Sequence, residues 1–377
     1  MLFKLACPII FNMNTLKKLL LICFLTFILA ISSAKNSDYK IEKLAAGLGV
    51  VWSMIFINDA EILFTERAGK VGIFNIKTKS INYIKNVPNV ISRGQGGLLD
   101  VAINKKYKPA NWIYFTYVKE VNNKGATTLA RAKLKNNELY AWQDLIVTKS
   151  ETNTAVHFGS RITFDNKGHL FFTIGDRGVR ENAQDLTNHA GKVLRLNLDG
   201  SIPYDNPFVN NKNALAEIYS YGHRNPQGIF YDKDDAKLFA IEHGPRGGDE
   251  INLISAGRNY GWPIISYGKE YWADISIGEG YEKEGMENPL KQYTPSIAPS
   301  SLIIYSGKKF KNWKGNILAG ALKLRHINRI EIKNNIVVKE ERLLKNLSER
   351  IRSLVEDKDG YIYFSTDSGR IFKLAPK

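Results

Sequence analysis

Beyond residue 40 no long stretch of the chain keeps the 3.6-residue apolar period of a helix. Short β-branched and aromatic runs recur instead, each closed by Gly, Asp or Asn. One unit returns six times: a turn, two to four apolar or aromatic residues, then a small or polar one. It reads Ile62-Leu63-Phe64-Thr65, Ile113-Tyr114-Phe115-Thr116, Leu170-Phe171-Phe172-Thr173, Leu238-Phe239-Ala240-Ile241, Ile317-Leu318-Ala319-Gly320 and Ile362-Tyr363-Phe364-Ser365. In five of the six a second strand-like run follows, such as Lys70-Val71-Gly72-Ile73-Phe74. The units stand about 45 to 80 residues apart, the range of a four-stranded propeller blade with loops of varied length. The pattern predicts an all-β fold, a six-bladed β-propeller with four-stranded antiparallel blades; a pair of β-sandwiches is the alternative. Ring closure removes free sheet edges, and Lys40-Ile41-Glu42-Lys43-Leu44 is the candidate to complete the last blade. A ring leaves an axial channel, with loops from every blade meeting at its mouth.

The N-terminus departs from this pattern. Lys17 and Lys18 precede an apolar run from Leu19 to Ile31, then Ser32-Ser33-Ala34 and a polar stretch. That is the layout of a secretory signal peptide over residues 1–34, cut after Ala34, with Met13 as an alternative start. The run falls short of the roughly 20 apolar residues of a comfortable membrane span, although a retained anchor is the structural alternative. Cys7 and Cys23 both precede the cut. Residues 35–377 are therefore expected to form a single domain with no disulfide, thiolate metal site or cysteine nucleophile. A periplasmic or secreted location is expected, with no stable membrane insertion of the mature chain. The net charge of +16 is spread along the chain and largely lysine. No basic block interleaved with aromatics occurs, so nucleic acid is not an expected partner. A basic surface does suit anionic ligands or an acidic redox partner.

Candidate chemistry begins with His157, just ahead of a strand-like run, and Asp176, just past the returning one. A turn at Asp165-Asn166-Lys167-Gly168 makes the two runs a hairpin and brings the pair to one end of a sheet. An imidazole beside a carboxylate suits a general base; a surface histidine and a turn aspartate are the alternative. Gln95, in Gly94-Gln95-Gly96-Gly97, offers an amide edge on a backbone that a ligand can approach closely. The loop lacks the lysine and hydroxyl residue of a phosphate loop. Tyr221-Gly222-His223-Arg224-Asn225-Pro226-Gln227-Gly228 crowds a histidine, an arginine and two amides into one turn. In Glu242-His243-Gly244-Pro245-Arg246-Gly247-Gly248-Asp249-Glu250, carbonyls and carboxylates offer the oxygen ligands Ca²⁺ prefers, or else form a solvated loop. Arg350 and Arg352 project from one face of a strand and, with Lys323, could clamp a carboxylate-rich ligand. Ion pairs with Glu349 and Glu356 are the alternative.

Taken in order, several strings resemble one family. They are His157-Phe-Gly-Ser-Arg161, Gly175-Asp-Arg-Gly178, Ala183-Gln-Asp-Leu186, the string from Tyr221 to Gly228, Glu242-His-Gly-Pro245, Asp249-Glu-Ile-Asn252 and Asn259-Tyr-Gly-Trp-Pro263. Together they are similar to the soluble quinoprotein glucose dehydrogenases and aldose sugar dehydrogenases, over about Ile41 to Leu374. Members are six-bladed propellers that use pyrroloquinoline quinone (PQQ) and Ca²⁺ to oxidise the anomeric carbon of aldoses to lactones. The resemblance implies His157 as general base, Asp176 as its orienting carboxylate, and Arg224 beside the reacting quinone carbonyl. It implies Gln95, Arg224, Asn225, Lys323, Arg350 and Arg352 as quinone-holding residues, with Gln184 standing in for a further glutamine. Gly244 and Pro245 match ligands of a catalytic Ca²⁺, and Glu250 and Tyr260 those of a structural one. An aldose substrate and an external acceptor, a quinone or a cytochrome, complete the expectation.

The chain also departs from the glucose enzymes. Val156 stands where they place an aspartate before the base, and Ile264-Ile265-Ser266-Tyr267 does not match their further calcium ligands. These differences point to the aldose sugar dehydrogenase branch, as a monomer or a dimer. Two other readings stay open: a Ca²⁺-dependent propeller hydrolase of the lactonase type, and a non-catalytic binding propeller.

Overall fold

In the computed structural model, six four-stranded antiparallel sheets follow one another along the chain. The structure describes residues 38–104 and 111–377. The expected signal segment, Met13 and both cysteines lie outside the described residues. Residues 51–83 form blade 1, 98–102 with 113–147 blade 2, 162–221 blade 3, 226–293 blade 4 and 299–343 blade 5. Blade 6 takes three strands from residues 351–376 and its outermost from Tyr39–Ala45, the segment expected to close the ring. Each repeated apolar unit is the second strand of its blade and is almost wholly buried, because it packs against neighbouring blades on both faces. Among the described residues no helix is long and apolar enough to cross a membrane.

The first strand of each blade lies innermost: Val51–Phe56, Leu98–Ala102, Ile162–Phe164, Pro226–Asp232, Pro299–Ile304 and Ile351–Glu356 pack against one another around the axis. In five of these strands the register with the second strand shifts near the start: between Val51 and Ser53, Leu98 and Val101, Pro226 and Gly228, Pro299 and Leu302, and Ile351 and Ser353. A bulge frees local backbone from the ladder and re-aims it. Here all five converge on one side chain.

That side chain is Arg161, at the entry to blade 3. Its guanidinium lies 3.9 Å from the Trp52 ring of blade 1 and donates to Asp100 Oδ1 of blade 2 at 3.0 Å. It also reaches the carbonyls of Gln227 in blade 4 (3.1 Å), Ser300 in blade 5 (3.2 Å) and Arg352 in blade 6 (2.9 Å). One buried cation therefore ties all six blades and plugs the axis. Beyond it the channel widens into a cavity of about 1010 Å³ walled by all six innermost strands, which includes none of the candidate residues. The candidate chemistry lies at the other mouth.

Candidate active site

The hairpin of Ile162–Phe164 and His169–Ile174 pairs Ile162 with Phe172 and Phe164 with Leu170, so its two open ends lie side by side. His157 and Asp176 extend from those ends, and His157 Nδ1 is 2.6 Å from Asp176 Oδ1. Gly175 makes the close approach possible: a Cβ there would stand 2.4 Å from the His157 carbonyl oxygen. His157 itself has φ +55°, a region non-glycine residues seldom occupy and one that concentrates at functional sites. Gln95 Oε1 accepts from the His157 N–H at 2.8 Å, so this residue acts on the base's backbone.

Asp176 is buried and fully engaged. Oδ1 also accepts from Gly178 N–H, and Oδ2 accepts from the Trp262 indole N–H at 2.8 Å. Burial opposes its charge, yet the bond and charge of His157, Gly178 N–H and Arg224 hold its pKa below the usual carboxylate range. An ionised Asp176 fixes the proton of His157 on Nδ1 and leaves Nε2 as the basic nitrogen; among the described residues Nε2 has no hydrogen-bond partner. Burial lowers the His157 pKa from its ordinary value; Asp176 opposes this, and the Arg224 and Arg177 charges add to it. The ring is thus neutral near pH 7 and able to accept a proton.

Across the mouth, Arg224 donates to the carbonyls of His243 (3.1 Å) and Gly244 (2.7 Å) and lies over the Trp262 ring. Asn225 is fully buried. Its Oδ1 accepts from Gly159 N–H and Gln227, while its Nδ2 donor has no partner. A buried amide N–H without an acceptor is costly, and it fits a carbonyl-bearing ligand above it.

Arg350 and Arg352 come together as expected, but the anion between them belongs to the chain. Asp367 Oδ2 accepts from Arg350 Nε at 2.8 Å and Oδ1 from Arg352 Nε at 2.7 Å. Glu349 and Glu356, the sequence candidates, instead bond Arg370 and Ser306. Arg67 adds a third guanidinium: its pKa is lowered first by burial, then by the charges of Arg352 and Arg350, with Asp367 opposing. Exposed Lys323 follows Leu322, whose carbonyl accepts from Arg350 Nη1. Three guanidiniums around one carboxylate leave a positive surplus suited to an anionic ligand.

The calcium candidates divide. Glu250 and Tyr260 line one small cavity of about 10 Å³ with Gly244, Pro245 and Glu242. Glu242 and Glu250 stand opposite each other on paired strands, and one Asn252 amide donates to both. Burial, then the Glu242 charge, pushes the Glu250 pKa up to about 8. Asn252 Oδ1 is buried without a partner. Crowded carboxylates and an orphaned amide oxygen beside main-chain carbonyls are the donor set of a hard cation. The Tyr260 phenol is not part of that set, because it donates to Leu253 O and accepts from Ser255 N–H; only its carbonyl is left to serve. Gly244 O and Pro245 O already accept from Arg224 and Ser296, so a cation at these oxygens would share them.

Gln184 is bonded within the chain. Its amide exchanges bonds with Asn259 in both directions and donates to Trp262 O at 2.6 Å. Those bonds use its polar atoms to brace the Trp262 loop rather than to reach a ligand. Trp262 entered the sequence reading only as part of the Asn259–Pro263 string, with no role, and Asp367 and Arg67 not at all. A signal for Asp367 existed, since an acid closes or follows the second strand in blades 1, 3, 4 and 6: Glu66, Asp176, Glu242 and Asp367. Nothing in the order of residues pairs Trp262 with Asp176.

Comparison with known proteins agrees in extent. The chain is 34% identical to an aldose sugar dehydrogenase of Escherichia coli over 94% of its own length and 98% of that protein. The apo crystal structure of the soluble E. coli aldose sugar dehydrogenase superposes with a TM-score of 0.86 at 33% identity, covering 90% of this chain and all of that one. A quinoprotein glucose dehydrogenase of Acinetobacter calcoaceticus is 28% identical over 80% of the chain and 79% of that protein. The sequence model for glucose/sorbosone dehydrogenases matches residues 48–373. Because that match covers most of the chain, from blade 1 into the last strand of blade 6, the chain belongs to the glucose/sorbosone dehydrogenase family.

Proposed function

We propose that the protein is a PQQ- and Ca²⁺-dependent aldose dehydrogenase, exported to the periplasm or beyond, that oxidises the C1 hydroxyl of aldoses to lactones. The observation that carries this reading is the pairing of a neutral, carboxylate-oriented imidazole with a surplus of guanidiniums at one mouth of the ring. The names of the relatives, a quinoprotein among them, support it.

Arg350, Arg352, Arg67 and Lys323 would hold the quinone's carboxylates, Asn225 Nδ2 a carbonyl, Gly244 and Pro245 the catalytic calcium, and Glu250 with the Tyr260 carbonyl a structural one. When bound, PQQ supplies the two-electron hydride acceptor, and Ca²⁺ supplies a Lewis acid. The chain's own part is proton handling. His157 Nε2 takes the C1 hydroxyl proton, and Asp176 stabilises the imidazolium that results. Trp262 and Gly178 N–H keep that carboxylate from turning away. A lactonase would take a neutral substrate and leaves the guanidinium surplus without a purpose.

Purified protein titrated with PQQ and Ca²⁺ should bind the quinone and, on adding aldoses, develop reduced-quinone absorbance and dye-linked turnover. Absence of both with a broad aldose panel would reject the reading, and lactone hydrolysis without quinone would replace it.

Calcium has its own test. Glu250→Gln removes one of two facing carboxylates, so the metal-free variant should melt at or above the parent temperature. It should also lose most of the Ca²⁺-dependent rise in melting temperature that the parent displays. An undiminished rise in the variant would remove Glu250 from the site.

A further inference from the structure

We infer that Arg177 is a positioning residue of the reaction: its guanidinium grips the loop that carries His157 and sets where the base stands and how readily it takes a proton. The inference rests on His157 being the base.

Arg177 is completely buried and has φ +61°. Its Nε donates to Ser150 O at 3.3 Å, Nη2 to Thr154 O at 3.3 Å, and Nη1 to Val156 O. All three carbonyls belong to the run that ends at His157. Thr154 Oγ1 returns a bond to Arg177 O at 2.6 Å, and the guanidinium lies 3.4 Å from the centre of the Phe158 ring on the far side of the base. The residues on either side of His157, Val156 through its carbonyl and Phe158 through its ring, are therefore gripped by one side chain. A residue held at positive φ needs such over-determination, because its own preference is to relax.

Loop anchoring alone does not explain a charge. Among the described residues no carboxylate forms an ion pair with Arg177, and the oxygens of Asp176 are engaged with His157, Gly178 and Trp262. A buried guanidinium held by carbonyls and a ring face, with the Asp176 charge in its favour but no carboxylate bonded to it, carries a large desolvation cost, which a neutral amide would avoid. The charge has a direct use beside the base. The charges that act on the His157 ring are Asp176, which is bonded to it and favours its protonation, and Arg224 and Arg177, which oppose it. His243 stays neutral, its pKa pushed down to about 3, chiefly by burial. An imidazole bonded to an ionised carboxylate tends to protonate early. Arg177 counters that tendency without taking the carboxylate from the ring.

The test compares Arg177→Met, Arg177→Lys and Thr154→Val in the full chain. Quinone affinity, kcat and KM would be measured, together with the pH titration of the His157 ring by NMR of histidine-labelled protein without quinone or sugar. Arg177→Met should lose about 10²-fold or more in kcat through misplacement of the base, with quinone affinity kept, and its His157 should titrate at higher pH than in the parent. Arg177→Lys should keep the titration near the parent's and recover part of kcat. Thr154→Val, which leaves the charge in place, should lower kcat less and leave the titration unmoved. A folded Arg177→Met with parental kcat and titration overturns the inference, as does Arg177→Lys titrating like the Met variant. Should Arg177→Met not fold, unchanged kcat in both remaining variants overturns it. The ring titration needs neither quinone nor sugar, so a protein that proves not to oxidise aldoses shows that failure separately.

Discussion

Replacing His157 with alanine is expected to lower kcat by roughly 10²–10⁴-fold, the contribution of a well-placed general base, while the quinone still binds. Binding should survive because the guanidiniums proposed to hold the quinone, those of Arg350, Arg352 and Arg67, come from blades 6 and 1, whereas His157 enters from blade 3. The pH profile of the parent enzyme follows from the same site. Burial lowers the His157 pKa below 6.5, and on the proposed mechanism only the unprotonated ring can accept the C1 hydroxyl proton. Activity should be full above the lowered value and fall as pH drops through it, so the acid limb lies below pH 6.5. Steady-state kinetics across pH with excess PQQ and Ca²⁺ checks both statements. An alanine variant retaining more than a tenth of parental kcat would assign the proton to another group.

The second large effect is on stability. Arg161→Met should destabilise the ring by about 3–5 kcal/mol, the usual result of removing one partner from a buried ion pair. Asp100 would keep only the Ile162 N–H, and the carbonyls of Gln227, Ser300 and Arg352 would lose a shared donor. Methionine fills much of the volume, so the loss reflects charge and hydrogen bonds more than a cavity. Pairing it with Asp100→Asn removes the stranded carboxylate, and the double variant should be more stable than Arg161→Met alone. Denaturant midpoints of the three proteins decide the matter. A single variant within about 0.5 kcal/mol of the parent, the range of an ordinary surface substitution, would mean that the blades do not depend on their central tie.

The blades were legible because a second strand buried on both faces must read as an unbroken apolar run, and six such runs can be counted. The closing strand at Tyr39–Ala45 was legible for a simpler reason: the sixth blade lacked a partner within its own stretch. The His157–Asp176 pair was legible because a hairpin with a short turn fixes which ends meet. The same logic failed for Asp367. Two arginines two residues apart announced the need for an anion, but the adjacent strand supplied it, in place of the neighbouring glutamates. For Gln184 the sequence offered no way to choose, since an amide is chemically apt for a ligand and equally apt for bracing Asn259 and Trp262, where its bonds lie.

The order of residues by itself determined the ring, its blade count and closure, and the histidine and carboxylate at one hairpin's open end. These follow from local periodicity and short turns, whose geometry the backbone dictates. Tertiary structure alone decided that Trp262, 86 residues away, bonds Asp176, and that Arg67 joins Arg350 and Arg352. It alone decided that five bulges turn toward Arg161. Those contacts depend on the rotation of whole blades about a common axis, and no interval along the chain encodes that rotation.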